Sequence, residues 1–179
     1  MDINLLLRRM DRGDRSAFAD LVDHFQRPLF GYLGRMGMHQ GQAEEVAQET
    51  FLRAWQRIGD YDPRRAEFST WLFTIARNLA INELTRASSH HEQAWSGHLP
   101  EVACEQGQPS QEAMTRQLRQ QVQQALRRLP CDDRSALALA YYEELDMASI
   151  ARIEGCTVGA IKVRLHRAKQ RLRQLLENT

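Results

Sequence analysis

The sequence predicts an all-α protein made of two small helical domains joined by a flexible linker, the second domain ending in a helix-turn-helix. Along most of the 179 residues, apolar side chains recur every three or four positions, as they do on one face of an α-helix. No stretch alternates apolar and polar residues in the manner of a half-buried strand. The helical spacing disappears between residues 89 and 110, where Ser, His, Gln, Gly, Pro and acidic residues predominate. We therefore predict domains at residues 1–88 and 111–179, with 89–110 as the linker.

The composition, with 42% hydrophobic and 26% charged residues, is that of an ordinary globular protein. The three cysteines form no C-x-x-C pair, so neither a disulfide framework nor a standard zinc site is expected. The linker contains His90, His91, His98 and Cys104, but their spacing matches no familiar set of metal ligands. The sequence has no run of about 18 apolar residues that would span a bilayer. We expect a cytoplasmic protein with no metal, no cofactor and no membrane contact of its own.

The N-terminal domain begins with two helical patterns, a short one that ends at Gly13 and a longer one that runs from Phe18 to Leu33. A third helix is expected to begin near Gln42, after a loop punctuated by glycines. One side of this helix is apolar and belongs in a core. The other side carries acidic and amide residues around one leucine: Glu45, Gln48, Glu49, Leu52 and Gln56. A single exposed leucine usually has no function, but this surface also suits protein docking.

A fourth helix follows the loop YDPRRAEF, and Ser69 or Thr70 is expected to cap its first turn. Leucine, isoleucine and alanine residues form its inward side. The far side and its edge carry aromatic, aliphatic, arginine and asparagine residues: Trp71, Phe73, Arg77, Asn78, Ile81, Asn82 and Leu84. Aromatic rings beside arginine and asparagine suit the stacking and edge recognition of unpaired bases. The pattern alone equally allows Trp71 and Phe73 to be core residues.

In the C-terminal domain, a helix ends at Pro130, and a further helix with Leu137 and Leu139 leads to the helix-turn-helix. Asp146 is suited to cap the first helix of that motif, because its carboxylate can accept hydrogen bonds from free amides of the first turn. Gly155 suits the left-handed end of that helix, and Thr157 can cap the next.

The last helix has one apolar side and one basic side. The apolar side, predicted to lie in the core, consists of Val158, Ile161, Leu165, Ala168 and Leu172. The opposite side presents Val163 and His166 with Lys162 and Arg167 beside them. Residues 157–179 hold six basic residues and one acidic residue, a net charge of +5. This side has the chemistry of a helix that enters the DNA major groove. A solvated basic face on an ordinary helix is the alternative, and the capped first helix with its glycine turn favours DNA binding.

Four segments together resemble the extracytoplasmic-function sigma factors, the two-domain specificity subunits of bacterial RNA polymerase. The segments are AEEVAQETFLRAW, FSTWLFTIARNLAINEL, LRRLPCDDRSALALAYYEEL and LDMASIARIEGCTVGAIKVRLHRAKQRL. They occur in the family's order and span nearly all of the chain except the linker. The resemblance implies that the first domain docks on core polymerase and captures a flipped base of the melted −10 element. It implies that the second domain reads the −35 element as duplex, and that an anti-sigma partner sequesters the protein.

The resemblance assigns roles residue by residue. The segment resembling the polymerase-binding helix contributes Glu45, Gln48, Glu49, Leu52 and Gln56. The segment resembling the −10 region contributes Asp62, Arg64, Arg65, Phe68, Trp71, Arg77, Asn78 and Asn82. The segment resembling the −35 helix contributes Thr157, Lys162, Val163, Arg164, His166, Arg167 and Arg171. Val163 stands where small polar residues are common in the family. The linker, which has no lysine or arginine, resembles the family's connector along the RNA exit path.

Three other classes of protein compete with this interpretation. A serine recombinase also ends in a helix-turn-helix, but it needs an α/β catalytic domain with a nucleophilic serine, and no β pattern is present. A phosphorylation-controlled regulator needs a parallel sheet and clustered aspartates. A free-standing helix-turn-helix repressor is the best alternative, although it leaves the WLFTIARN surface without a function.

Overall fold

The computed structural model describes residues 3–90 and 109–177, and these residues form eight α-helices and one 3-10 turn, with no β-strand. The predicted all-α fold is therefore confirmed for the described ranges. The α/β domain of a recombinase or receiver is not formed by them. The helices are α1 (Ile3–Asp11), α2 (Ser16–Arg35), α3 (Gln40–Gln56), α4 (Phe68–His90), α5 (Pro109–Arg127), α6 (Cys131–Tyr141), α7 (Met147–Glu154) and α8 (Val158–Glu177). The 3-10 turn is Ile58–Asp60. Most of the predicted linker, including His91, His98 and Cys104, lies outside the described residues.

Helices α1 to α4 make up the predicted N-terminal domain, which has an apolar cluster of its own that includes Leu21, Phe25 and Leu72. Gly13 (φ 87°) and Gly37 (φ 96°) lie in the turns after α1 and α2, in a backbone conformation that costs glycine little. At the start of α3, His39 and Gln42 exchange hydrogen bonds between side chain and backbone and so form a capping box. This cap places the start of the helix at Gln40, two residues before the predicted start.

Helix α4 also begins earlier than predicted, at Phe68, so the assignment of Ser69 or Thr70 as its cap was wrong. The amide of Trp71 donates to the carbonyl of Glu67, 3.1 Å away, so Glu67 immediately precedes the helix and Ser69 and Thr70 lie within its first turn. Phe68 is 3% exposed and packs against the rings of Phe25 and Trp71. The first residue of this helix is thus anchored by aromatic packing.

The helix-turn-helix forms through the three local signals read from the sequence. The Asp146 carboxylate accepts hydrogen bonds from the amides of Ala148 and Ser149, both at 2.8 Å. Gly155 ends α7 in the left-handed conformation at φ 65°. The Thr157 hydroxyl oxygen accepts the amide of Ala160 at 3.2 Å, at the start of α8. The expectation for the Asp146 cap, the Gly155 turn and the Thr157 cap is thus confirmed.

The two predicted domains pack against each other and share one continuous apolar core. Phe73 and Ala76 of α4 belong to the same buried cluster as Leu137 of α6 and Ile150 of α7. The hydroxyl groups of Tyr32 in α2 and Ser135 in α6 are hydrogen-bonded at 2.7 Å. The far side of α4, which carries Phe73 and Arg77, is therefore covered by the C-terminal domain. In the part of the chain that is described, no helix has the length and apolar character needed to cross a membrane.

Candidate nucleic-acid interface

Helix α8 is fixed by a buried side and presents a basic side to solvent. Ile161, Leu165 and Ala168 are at most 5% exposed. On the other side, Val163 is 50% exposed and Lys162, His166 and Arg167 are also exposed. Val158 was expected in the core, but it is 38% exposed because it lies in the first turn, at the edge of the packed surface. The helix thus offers an apolar side chain flanked by cations, which is the combination that major-groove recognition uses.

The arginines of α8 differ in whether they already have a partner. Arg164 Nη1 lies 2.6 Å from Glu154 Oε2, and Arg171 Nη1 lies 2.5 Å from Asp133 Oδ2. Arg167 has no ion pair or hydrogen bond among the described residues. These arginines and Val163 line an open groove of about 430 Å³ on the outer side of the helix. Arg167 is therefore the arginine of this groove that can reach DNA without first leaving a carboxylate.

The loop before α4, assigned to base capture, is held by its own hydrogen bonds. Asp62 Oδ1 accepts the backbone amide of Arg64 at 2.9 Å and its Nε at 3.0 Å. The hydrogen bonds from Arg64 hold the pKa of Asp62 below its usual value. The Tyr61 hydroxyl donates to the carbonyl of Ala66 at 3.0 Å. The Arg64 side chain is 89% exposed at the surface of this ordered turn, and its Nη2 also lies 3.0 Å from Asp62 Oδ2, so it must leave this carboxylate before it can bind a phosphate or a base.

The residues assigned to −10 recognition do not share one open surface. Asn78 and Asn82 are exposed, and Trp71 is partly exposed beside the ring of Tyr61, with 5.4 Å between ring centres. Phe68 is buried, so it supports the loop and offers no ring to a base. Phe73 is also buried, edge to face against Tyr32, so its interpretation as a core residue is the correct one.

Arg77 lies in the contact between the two domains. Its Nη2 is 2.9 Å from Glu154 Oε2 and 2.9 Å from Asp132 Oδ1, and only 13% of its side chain is exposed. Burial opposes its charge, but the hydrogen bond and the attraction of Glu154 outweigh burial and raise the pKa of Arg77. In this conformation Arg77 is not available to DNA.

Glu154 is a buried charged residue at the contact between the domains that was not predicted from the sequence. Its side chain is completely buried, it accepts a hydrogen bond from Ser135 Oγ at 2.5 Å, and it pairs with Arg77 and Arg164. A buried carboxylate needs such partners because desolvation of its charge is otherwise too costly. The signal was present in the sequence: Glu154 follows Ile150 by four residues, and so lies on the apolar side of α7.

The surface of α3 assigned to polymerase contact is solvent-facing. Leu52 is 50% exposed, and Glu45, Gln48 and Gln56 are exposed around it. Glu49 is held by Arg53 at 2.6 Å, one turn along the same helix. An apolar residue inside a polar rim is the usual arrangement of a small docking surface.

The fold and these surfaces define a helical protein that combines a helix-turn-helix with a second candidate nucleic-acid surface. No group of His, Cys, Asp and Glu residues able to hold a metal ion occurs within residues 3–90 and 109–177.

Comparison with known proteins identifies the family. The model for sigma-70 region 2 matches residues 21–90, and the model for sigma-70 region 4 matches residues 119–172. The RNA polymerase sigma factor SigW of Bacillus subtilis is 31% identical over 99% of this chain and 98% of that protein. The sigma factor RpoE of Cereibacter sphaeroides is 34% identical over 92% of this chain and 88% of that protein. Both relatives are extracytoplasmic-function sigma factors, and the present chain belongs to that family.

A solved structure supports the fold. The sigma factor RpoE of Bartonella quintana, crystallised with the anti-sigma factor NepR, aligns with a TM-score of 0.67 over 88% of this chain and 97% of that chain. At 24% identity this likeness concerns the fold alone. The family consists of transcription initiation factors and is not itself a family of catalysts.

Proposed function

We propose that this chain directs core RNA polymerase to promoters whose −35 element is read by α8 and whose −10 strand is captured by the loop and first turns of α4. The observation that carries the proposal is the outer side of α8. Lys162, Val163 and Arg167 are exposed there, while the opposite side of the helix is packed in the core. Phosphate contacts from basic residues position such a helix, and contacts to base edges give sequence preference. Thr157, Arg164, His166 and Arg171 complete the proposed −35 surface.

Capture of the −10 strand requires groups that hold unstacked bases. Trp71, Asn78 and Asn82 supply an aromatic ring and two amides, and the ordered turn at Asp62 presents Arg64 and Arg65. Arg77 joins this surface only after it leaves Glu154. Phe68 is buried, and its proposed role is to support the loop by packing against Tyr61 and Trp71.

Polymerase docking is proposed for the exposed side of α3, from Glu45 to Gln56, with Leu52 at its centre. The proposed division of labour places polymerase and −10 contacts in residues 1–88 and −35 contacts in residues 111–179. RNA synthesis is the chemistry of the polymerase, so we assign this chain no catalytic residue. We place its action in the cytoplasm, where polymerase and chromosome are found.

An anti-sigma partner is the second proposed protein contact. The sigma factor RpoE of Bartonella quintana was crystallised with its anti-sigma factor NepR. By analogy we propose that a regulator binds the present chain and competes with polymerase. Isolation of the native chain under non-inducing conditions should recover such a protein, whereas recovery of polymerase alone in every condition would contradict this part of the proposal.

Transcription in vitro tests the proposed function. Purified core polymerase, with and without the chain, is supplied with genomic fragments, and the 5′ ends of the transcripts are sequenced. We expect transcripts that depend on the chain and share two upstream motifs at a fixed spacing. Initiation that is the same with and without the chain would contradict the proposal.

A further inference from the structure

Val163 is an apolar side chain at the centre of the polar outer side of α8. It is 50% exposed, whereas the neighbouring Ile161 and Leu165 are at most 5% exposed in the core. Lys162 and Arg167 are exposed on either side of it along the helix. Such cations attract the phosphates of a duplex, so Val163 lies where the helix would meet the edges of the bases.

Gly159 lies one turn before Val163 on the same side of α8. The described residues give no internal reason for a glycine at this position. Its φ is not positive, and a Cβ atom there would meet only the hydroxyl oxygen of Thr157, at the ordinary contact distance of 3.9 Å. Alanine is the better helix former, and glycine is often used where a backbone must approach a ligand closely. Gly159, Ala160 and Val163 line the same open groove, so this part of its lining is small and apolar.

The bases differ in what they present to such a side chain in the major groove. Valine can neither donate nor accept a hydrogen bond, and in a helix its branched side chain is held almost entirely in one rotamer. Opposite adenine, guanine or cytosine it would remove water from a donor or an acceptor without replacing the lost hydrogen bond. Thymine presents a methyl group, and the packing of this methyl against valine removes apolar surface of both from water. The chemistry of the position therefore selects thymine.

We propose that Val163 recognises one thymine of the −35 element through its 5-methyl group, and that Gly159 leaves the space in which the helix approaches this base. The inference rests on the proposed function, because it requires α8 to lie in the major groove. It adds the identity of one base pair, which is recognised by an apolar contact. Lys162 and Arg167 hold the helix on the duplex beside this contact.

Replacement of each thymine of the −35 element by deoxyuridine tests the methyl contact, because it removes one methyl group and leaves base pairing unchanged. Affinity is measured by fluorescence anisotropy with core polymerase, the full chain and a promoter identified by transcription in vitro. With the wild-type chain, uracil at one position should weaken binding about fourfold, the factor that corresponds to about 0.8 kcal/mol for one buried methyl group. With Val163→Ser, thymine and uracil at that position should bind equally, because serine is shorter and polar.

Val158→Ser is the matched control. It is the same change at a valine of α8 that is 38% exposed and does not line the groove, so it should keep the full uracil effect. Circular dichroism establishes that each variant is folded. Gly159→Ala tests the close approach separately. Its urea midpoint should be at or above that of wild type, because the position has space and alanine favours a helix, yet its promoter affinity should fall several-fold.

Replacement of the whole −35 element by an unrelated sequence separates this inference from the proposed function. If that replacement weakens binding but no thymine shows a uracil effect that depends on Val163, the methyl contact is overturned and the proposed function stands. If that replacement has no effect, the proposed function fails and the inference fails with it. Normal promoter affinity of a folded Gly159→Ala chain would overturn the close approach.

Discussion

Replacement of Arg167 by alanine should weaken promoter binding more than replacement of any other arginine of α8. Arg167 is exposed on the outer side of the helix and lines the open groove there. No carboxylate pairs with it in the described ranges, so DNA binding need not break an existing contact. Arg171, in contrast, must leave Asp133 at 2.5 Å before it can turn toward a phosphate.

The expected magnitude follows from this difference. An unpaired arginine that contacts a guanine or a phosphate contributes about 1–3 kcal/mol, or about a tenfold to hundredfold change in affinity. Arg171 must break its ion pair with Asp133 before it can contact DNA, and this cost offsets part of the binding free energy gained from the DNA contact. Arg171→Ala should therefore reduce promoter affinity less than Arg167→Ala does. Both changes remove one positive charge, and a difference between them therefore reports geometry and not net charge.

Fluorescence anisotropy of labelled promoter duplex with the reconstituted polymerase, measured at several salt concentrations, supplies the test. Arg173→Ala is the matched control, because this arginine of α8 is 82% exposed, pairs with Glu177 and lies outside the proposed −35 set. If Arg167 contacts a phosphate, its loss should also reduce the slope of log affinity against log salt by about 1. Equal affinities for the Arg167→Ala and Arg173→Ala proteins would refute the assignment of the −35 surface.

Three further predictions concern the other surfaces and pH. Asn78→Ala should leave duplex binding unchanged but reduce the open complex, because the exposed amide is proposed to hold a melted base; normal opening would contradict its role. Glu49→Lys with Leu52→Ala should weaken core polymerase binding about tenfold or more without unfolding the domain, in a binding titration read beside circular dichroism; unchanged affinity would show that the docking surface lies elsewhere. Burial raises the pKa of Glu143 from 4.5 to about 7, and the nearby charge of Arg35 opposes this rise. The folded state therefore favours the protonated carboxyl, and this stabilisation of the folded state is fully present below about pH 4.5 and is lost as the pH rises through about 7. The urea midpoint should fall over that range in wild type and fall less in Glu143→Gln, and parallel curves would exclude Glu143 as the cause.

Signals that act within a few residues were read correctly from the sequence. The Asp146 cap and the Gly155 turn depend only on local hydrogen bonds and on backbone conformation, so residue type and spacing suffice to predict them. The orientation of α8 follows from the spacing of Ile161, Leu165 and Ala168. The start of α4 could not be predicted in this way, because its first residue, Phe68, packs against Phe25, which is distant in the chain.

The contact between the domains could not be predicted, because it joins residues that are far apart in the chain. Arg77 and Glu154 are separated by the whole predicted linker, and helical spacing shows only that each lies on a particular side of its own helix. From its position on the far side of α4, an arginine could pair equally well with a DNA phosphate or with a buried carboxylate. The position of Glu154 on the apolar side of α7 indicates that it needs a cation, but not which one.

Permanganate footprinting of a promoter identified by transcription in vitro tests most directly whether this chain opens DNA for polymerase. Core polymerase with the wild-type chain should make thymines around −10 reactive, and core polymerase alone should not. At saturating protein, Arg167→Ala should restore this reactivity while Asn78→Ala should not, since the first affects duplex binding and the second affects strand capture. Reactivity that does not depend on the chain, or normal opening by Asn78→Ala while Arg167→Ala stays closed at saturation, would contradict the account.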